Sequence, residues 1–197
     1  MTNNFHGNQL VSSYILPNGH LRAGSAIWTG GNGSAGINDP DPFENHVSAS
    51  RDRSCAYHQP DPLYSSSSVI VAGTQVMVVN AGSNSFSVFD IDSSDPGIPS
   101  LRATYPSKGD FPVSLAASPD GNYVCVLRSG MDNGFSCYQN AGDGEWAYLP
   151  QWDRSLGLNL TTPPHGCAPY EKACSADLAG RSVEHLLSYS SHRTCDN

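Results

Sequence analysis

Short apolar runs separated by turn residues recur along the chain, and they predict strands. These runs lie at residues 8–16, 21–28, 69–71, 76–79, 86–89, 113–117, 123–127 and 135–138. They are too short for core helices and rich in Val, Ile, Phe and Tyr, which is typical of buried strands. Between them lie turns such as Ser118-Pro119-Asp120-Gly121, in which proline presets φ and glycine supplies a positive φ. We therefore expect an all-β fold.

Two of these stretches are copies of each other. Ser66–Gly82 overlays Ser114–Gly130 at a constant offset of 48 residues, and Asn84–Phe89 overlays Asn133–Tyr138 at an offset of 49. Side chains alternate within each copy, so that Phe86 and Val88 share one face of a predicted strand. A period of about 40–50 residues made of short strands is typical of propeller blades. The sequence predicts a partial β-propeller with about three blades of antiparallel strands.

The same patterns divide the chain into four parts. Asn8-Gln9-Leu10 is an earlier partial copy of the Asn84 segment, so residues 1–38 form a first partial blade. Residues 39–60 are a loop or insertion. Asp39 and Asp41 each precede a proline, and a residue before proline is disfavoured in the helical conformation. Residues 61–166 hold the two blade-like repeats, and residues 167–197 are an irregular tail without a strand pattern.

Charge and composition exclude several kinds of partner. Charged residues make up 14% of the chain and the net charge is −8, with Lys108 and Lys172 as its lysines. A nucleic-acid partner needs a basic face for its phosphates, and an anionic membrane surface needs one too. No apolar run reaches the roughly 18 residues that span a bilayer. We expect neither partner, while the oligomeric state stays open.

Cysteines and sequons favour an oxidising compartment. The chain has 6 cysteines without a CxxC pair, a pattern typical of disulfide-bonded proteins. In a hairpin that turns near Met131, Cys125 and Cys137 lie opposite each other, as a disulfide or as reduced core residues. Asn32 and Asn159 begin N-x-S/T sequons and are glycosylation sites if the protein is exported. The N-terminal residues show no signal-peptide pattern, which points the other way.

At Val78–Ile91 the sequence resembles a known family. It is similar to the fungal secreted β-propeller proteins called 3-carboxymuconate cyclase-like, within the seven-bladed lactonase superfamily. Segments that support the resemblance occur in the expected order, over roughly residues 1–38 and 60–166: Thr2-Asn3, Gly7-Asn8, Thr29-Gly30-Gly31, Asp61-Pro62-Leu63-Tyr64-Ser65, Phe111-Pro112-Val113-Ser114, Val124-Cys125-Val126-Leu127, Asn133-Gly134, Cys137-Tyr138, Gly157-Leu158-Asn159 and Thr161-Thr162-Pro163-Pro164.

The resemblance implies an extracellular protein with a lactone-forming or lactone-opening activity that needs no metal or cofactor. Its partner would be a small carboxylate, with a carbohydrate as an alternative. A ring of seven such units would be about 1.7 times as long as this chain, so the resemblance also implies a fragment of a longer propeller. We expect the family's secretory leader and later blades to be missing from the sequence.

Three residues have the side-chain types that such a reaction requires. Propellers bind small molecules where the loops that precede the innermost strands converge, here Gly109–Pro112 and Pro163–Gly166. Arg128 could clamp a carboxylate, and Asp110 or His165 could move a proton. Their alternative role is that of ordinary loop residues.

No histidine in this chain precedes a proline, which is the pairing that the resemblance associates with lactonising propellers. We therefore expect a 3-carboxymuconate cyclase-like scaffold without the reaction. The alternatives are an active lactonising or lactone-hydrolysing enzyme on small carboxylates, and a non-functional fragment.

Other motifs carry little chemistry. His165, Cys167, Cys174, His192 and Cys195 do not have the spacing of a zinc finger, and the Thr29–Gly36 loop lacks the Gly-Lys-Ser/Thr ending of a phosphate loop. No Gly-x-Ser-x-Gly sequence is present to place a nucleophilic serine. We expect no metal site and no cofactor.

Overall fold

A computed structural model of the chain describes residues 1–4, 6–34, 63 and 65–159. In these ranges the chain forms strands and one short 3₁₀ helix, Ala81–Ser83. The strands are β1 (Gln9–Ile15), β2 (Leu21–Trp28), β3 (Val69–Ala72), β4 (Gln75–Asn80), β5 (Ser85–Asp90), β6 (Ser100–Pro106), β7 (Pro112–Ala117), β8 (Tyr123–Arg128), β9 (Gly134–Asn140) and β10 (Trp146–Ser155).

The strands form three antiparallel sheets that follow one another along the chain. The first sheet is β1–β2, the second is β3–β4–β5–β6, and the third is β7–β8–β9–β10. Each strand pairs with its sequence neighbour, as hairpin connections require. The predicted fold class is confirmed: within the described residues the chain is all-β, with two blade-like four-stranded sheets and one two-stranded sheet. The predicted boundaries at residues 38, 60 and 166 lie outside the described residues.

Backbone hydrogen bonds show that β1 is equivalent to β5 and β9. In each sheet, the carbonyl of the residue just before β1, β5 or β9 accepts a hydrogen bond. The donor is the N–H of the residue that follows the next strand of the same sheet. Thr29 N–H donates to the carbonyl of Asn8, and Ser107 N–H donates to the carbonyl of Asn84, both within 2.9 Å. The first sheet therefore contains the third and fourth strands of a unit whose first and second strands are absent from the described residues.

Alternation along β4 and β5 places the second sheet between its two neighbours. Phe86 and Val88 belong to the larger apolar cluster, which they share with the third sheet. Val78 and Phe89 pack on Leu10 of the first sheet. These four side chains of the second sheet are fully buried, and burial of each contributes about 1.5–3 kcal/mol relative to exposure. The faces predicted for Phe86 and Val88 are confirmed.

Buried polar groups join each sheet to the one before it. Ser87 Oγ in β5 donates to the carbonyl of Thr29, which follows the first sheet, at 2.5 Å. Ser136 Oγ, at the equivalent position of β9, donates to the carbonyl of Ser107 at 2.6 Å. Because a buried carbonyl without a partner costs about 1–3 kcal/mol, the two serines fix how neighbouring sheets meet.

A disulfide crosses the β8–β9 hairpin. Cys125 lies directly opposite Cys137 in the strand register, their Cα atoms are 4.1 Å apart, and their sulfur atoms are bonded. The predicted pairing is therefore present. The disulfide packs with Phe135 in a small cluster that Trp152 partly covers.

The fourth strand of each complete sheet lay outside the sequence predictions. In β6 exposed and half-buried residues alternate, because one face is open to solvent. In β10 the register with β9 shifts between Leu149 and Arg154, a bulge that includes Pro150. Neither strand shows the buried apolar run by which the inner strands were found.

Candidate functional site

The connection from β6 to β7, residues 107–111, is the centre of the predicted site. It contains Lys108 and Asp110 and leads into the first strand of the third sheet. Lys108 has φ = 63° and Phe111 has φ = 54°, values that are uncommon for residues other than glycine. Each such residue costs roughly 1–3 kcal/mol and persists only where its surroundings impose it. Two of them within four residues show that this connection, called here the β6–β7 loop, is held by other contacts.

Arg128 is one of those contacts. Its side chain is 2% exposed, at the end of β8 as the sequence predicts. Nη1 donates to the carbonyl of Lys108, and Nη2 pairs with Asp153 Oδ1 at 3.0 Å. Its Nε is buried without a hydrogen-bond partner. The guanidinium therefore lies inside the protein and ties the β6–β7 loop to β10.

Two glycines make room for this guanidinium. A Cβ atom at Gly109 would lie 2.7 Å from Nη1 of Arg128, and one at Gly134 would lie 2.7 Å from Nη2. Contacts this short force neighbouring atoms to move. The loop sequence Lys108-Gly109-Asp110 is therefore adapted to an arginine that lies beneath it.

Asp110 is held on both sides of its peptide and through its carboxylate. Asn84 Nδ2 donates to its Oδ1 at 3.1 Å, and Gly130 N–H donates to its carbonyl at 3.0 Å. Asp110 N–H donates to the carbonyl of Asp132 at 3.2 Å. The residue thus connects the β6–β7 loop with the turn between β8 and β9.

An asparagine holds the chain after each sheet in the same way, which the sequence analysis missed. Asn133 Oδ1 accepts from Leu158 N–H at 3.1 Å, and its Nδ2 donates to the carbonyl of Leu158 at 2.8 Å. Asn3 makes both bonds to the backbone of Ser34, at 3.1 and 2.8 Å. The match of Asn84 with Asn133 in the repeat was the available signal.

At Asn84 the carboxylate of Asp110 replaces a backbone carbonyl in this arrangement. Asn84 Oδ1 accepts from Phe111 N–H at 2.9 Å, as in the other two cases. Its Nδ2 bonds the Asp110 side chain instead of a backbone oxygen. Asp110 therefore completes the local joint between the second and third sheets.

Two tyrosines complete the surroundings of Arg128. Tyr148 donates its hydroxyl hydrogen bond to Asp153 Oδ2 at 2.7 Å, and Lys108 Nζ lies 4.8 Å from its ring centroid. Burial, followed by the bond to Asp153, raises the pKa of Tyr148. Burial also raises the pKa of Tyr138, whose hydroxyl donates to the carbonyl of Pro106. Both phenols are thus neutral hydrogen-bond donors at ordinary pH.

The structure brings two of the three predicted catalytic residues to one loop. Arg128 holds the peptide of Lys108, two residues before Asp110, while His165 lies outside the described residues. A catalytic role for any of them stays a prediction. The side chains of Asn32 and Asn159 are exposed, and their glycosylation also stays a prediction.

Within the described ranges, no group of three or more His, Cys, Asp or Glu side chains is arranged to hold a metal ion. None of the helical structure described is long and apolar enough to cross a bilayer.

Comparisons with known proteins give a distant likeness of fold. No family model matches the chain, and no curated protein matches it. Among solved structures, it is similar to a protein from Lactobacillus plantarum at 16% identity and a TM-score of 0.49, covering 84% of this chain and 39% of the other. A functionally unknown protein from Desulfotomaculum acetoxidans is 18% identical with a TM-score of 0.48, covering 84% of this chain and 43% of that one.

A third solved structure is named for its activity. It is the periplasmic gluconolactonase of Pseudomonas aeruginosa, 15% identical with a TM-score of 0.46, and the match covers 78% of this chain and 38% of the other. The chain spans about two fifths of the length of these structures. The narrower resemblance to fungal cyclase-like proteins stays a prediction.

Proposed function

We propose that this chain is a 3-carboxymuconate cyclase-like propeller scaffold that binds a ligand without converting it. The observation that supports the proposal most is that the guanidinium of Arg128 is buried and already bonded within the protein. A carboxylate clamp needs guanidinium N–H groups that face the ligand. In this chain the guanidinium is buried, and it bonds Asp153 and the carbonyl of Lys108.

Asp110 supports the same proposal. A general base must reach the proton that it removes. The two carboxylate oxygens of Asp110 accept hydrogen bonds from Asn84 Nδ2 at 3.1 Å and from Asp132 N–H at 3.4 Å. Arg128 and Asp110, two of the three residues that the resemblance would use for chemistry, therefore have structural partners. The ligand class that we propose is a small carboxylate or a carbohydrate, and the setting is extracellular, since the Cys125–Cys137 disulfide persists in oxidising compartments.

The test is an assay of lactone formation and lactone opening. The purified chain is mixed with 3-carboxymuconate, and the muconate ultraviolet absorbance is followed against protein-free buffer. The lactone is then followed in the reverse direction. We expect identical rates with and without the chain, and binding of a carboxylate or a glycan in calorimetry or on a glycan array.

The alternative function, an active enzyme on small carboxylates, is favoured by the strained backbone of Lys108 and Phe111, since such strain is often found at active sites. Under that alternative the rate rises in proportion to protein concentration. It is then lost in Asp110→Asn while the unfolding midpoint stays near that of the parent chain. This result would refute the scaffold proposal.

A further inference from the structure

Three Asn-Gly steps occur in the chain, and the fold gives each of them a different environment. They are Asn18-Gly19, Asn32-Gly33 and Asn133-Gly134. An asparagine before glycine can lose its side-chain amide, because the glycine nitrogen attacks the side-chain carbonyl carbon and no Cβ atom hinders its approach. The attack requires that the side chain and the following peptide can move toward each other. The structure therefore determines which of the three steps reacts in the folded chain.

The Asn133-Gly134 step is closed to this reaction. Asn133 is 3% exposed, its Oδ1 accepts from Leu158 N–H, and its Nδ2 donates to the carbonyl of Leu158. A Cβ atom at Gly134 would lie 2.1 Å from the carbonyl oxygen of Arg154, so the backbone is tightly packed. Neither group can move without opening the third sheet.

The Asn32-Gly33 step has an exposed side chain but a fixed backbone. Gly33 N–H donates to the carbonyl of Asn4 at 2.7 Å, and the carbonyl of Asn32 accepts from Gly82 N–H at 3.0 Å. A Cβ atom at Gly33 would lie 2.2 Å from the backbone carbonyl carbon of Asn3. This segment joins the first sheet to the second, and that contact must be released before the Gly33 nitrogen can turn toward Asn32.

The Asn18-Gly19 step lies at the exposed tip of the β1–β2 hairpin. A Cβ atom at Gly19, where φ is 81°, would meet no atom of the described chain within 4 Å. Gly19 N–H donates to the carbonyl of Leu16 at 2.8 Å. This bond lies within the turn, so it can open locally while the sheets stay intact.

A second hydrogen bond prepares the Asn18 side chain for attack. Asn18 Oδ1 accepts from His20 N–H at 3.1 Å. This local bond, typical of asparagine in turns, bends the side chain over the peptide that follows it. It also draws electrons away from the carbonyl carbon, which makes that carbon a better electrophile.

We propose that Asn18 is a deamidation site of the folded protein. The Gly19 nitrogen loses its proton to solvent and bonds to Cγ of Asn18, the bond from Cγ to Nδ2 breaks, and the amide nitrogen leaves as ammonia. The cyclic imide takes up a water molecule and opens at either carbonyl, giving aspartate or isoaspartate. Water is the co-reactant and no oxidant is needed. Both products add a negative charge to the hairpin tip, whether or not the chain has catalytic activity.

Ageing of the parent chain tests the proposal at all three steps together. Folded chain and chain unfolded in guanidinium chloride are incubated in the same mildly alkaline buffer. Peptide mapping with electron-transfer fragmentation then measures conversion at each asparagine. Because a protected site reacts only after opening, we expect folding to slow Asn32 and Asn133 by about tenfold or more, and Asn18 by less than about threefold.

A matched pair of variants identifies the source of the acidic product. In Asn18→Gln the longer side chain closes the imide ring more slowly, so the acidic species that forms on ageing should disappear from anion-exchange profiles. Asn122→Gln is the control, because Asn122 is also exposed in a turn but precedes a tyrosine, and its profile should match that of the parent. Equal protection of the three steps in the folded chain, or an acidic species that persists in Asn18→Gln, would overturn the proposal.

Discussion

The last residue of the second strand in each complete sheet has the same structural role, although it is an amide in one sheet and a guanidinium in the other. Asn80 and Arg128 are separated by the repeat offset, and both are buried. Asn80 Oδ1 accepts from Thr29 Oγ1 at 2.7 Å, and its Nδ2 donates to Ser87 Oγ at 2.7 Å. Arg128 bonds the carbonyl of Lys108 instead. At this scale, each side chain holds the chain segment that follows the previous sheet.

Arg128→Ala should therefore act on stability. It leaves Asp153 without its cation and the carbonyl of Lys108 without its donor. Loss of one partner of a buried pair costs roughly 3–5 kcal/mol, and we expect about 3 kcal/mol because Asp153 is partly exposed. The measurement is urea unfolding followed by tyrosine and tryptophan fluorescence.

Arg22→Ala is the control for this prediction, since Arg22 is exposed over the Tyr14 ring. Its cost should remain within about 0.5 kcal/mol. Equal losses for the two variants would contradict a special role for Arg128 in holding the β6–β7 loop.

The asparagines that bond the backbone after each sheet give a second prediction at this scale. Asn133→Ala removes both hydrogen bonds to Leu158, so the unfolding free energy should fall by about 1–3 kcal/mol. The amide of Leu158 should also exchange its hydrogen faster in a mass-spectrometric exchange experiment. Asn122→Ala is the matched control in an exposed turn, and it should leave the Leu158 amide unchanged.

At the scale of elements, a tyrosine of the second sheet forms hydrogen bonds to the connection between β9 and β10 and to the first residue of β10. Tyr105 in β6 donates its hydroxyl hydrogen bond to Glu145 Oε2 at 2.5 Å, and it accepts from Trp146 N–H at 3.1 Å. Burial, with the bond to Glu145, raises the pKa of Tyr105 to about 12. Since the folded pKa lies above the ordinary value, this contribution to stability is complete below about pH 10. It is lost as the pH rises toward 12.

Glu145→Gln should move the titration of Tyr105 toward lower pH, because the phenolate then no longer faces a carboxylate. The difference in phenolate absorbance between each chain and its Tyr105→Phe derivative isolates this one residue. A Tyr105 that titrates at the same pH in the parent and in Glu145→Gln would show that the contact with Glu145 does not contribute to the shift.

The sequence predicts the inner elements better than the outer ones. The strands β4, β5, β8 and β9 were found because most of their positions are buried on both faces, which makes most of them apolar or small. β6 and β10 each have an exposed face, and Trp152 in the β10 bulge lies over Tyr123 rather than in a regular ladder. A pattern of buried residues cannot reveal a strand whose outward side chains are free to vary.

At the scale of the whole molecule, the repeat gives the order of the sheets but not the bonds between them. Asn8 donates to the carbonyl of Val79 across 71 positions of sequence, and no local periodicity encodes such a pair. The candidate site has the same limit. The sequence located Arg128 at the end of its strand, yet its pairing with Asp153 depends on the bulge in β10.

The disulfide gives the third sheet a different way of coming apart. In the second sheet the pair equivalent to Cys125 and Cys137 is Met77 and Val88, which face each other across β4 and β5 without a covalent bond. While the sulfur atoms stay joined, denaturant can separate β4 from β5 completely, but the strands β8 and β9 stay tethered. The β8–β9 hairpin therefore stays closed under conditions in which the β4–β5 hairpin opens. Reduction of the disulfide removes this difference between the two hairpins.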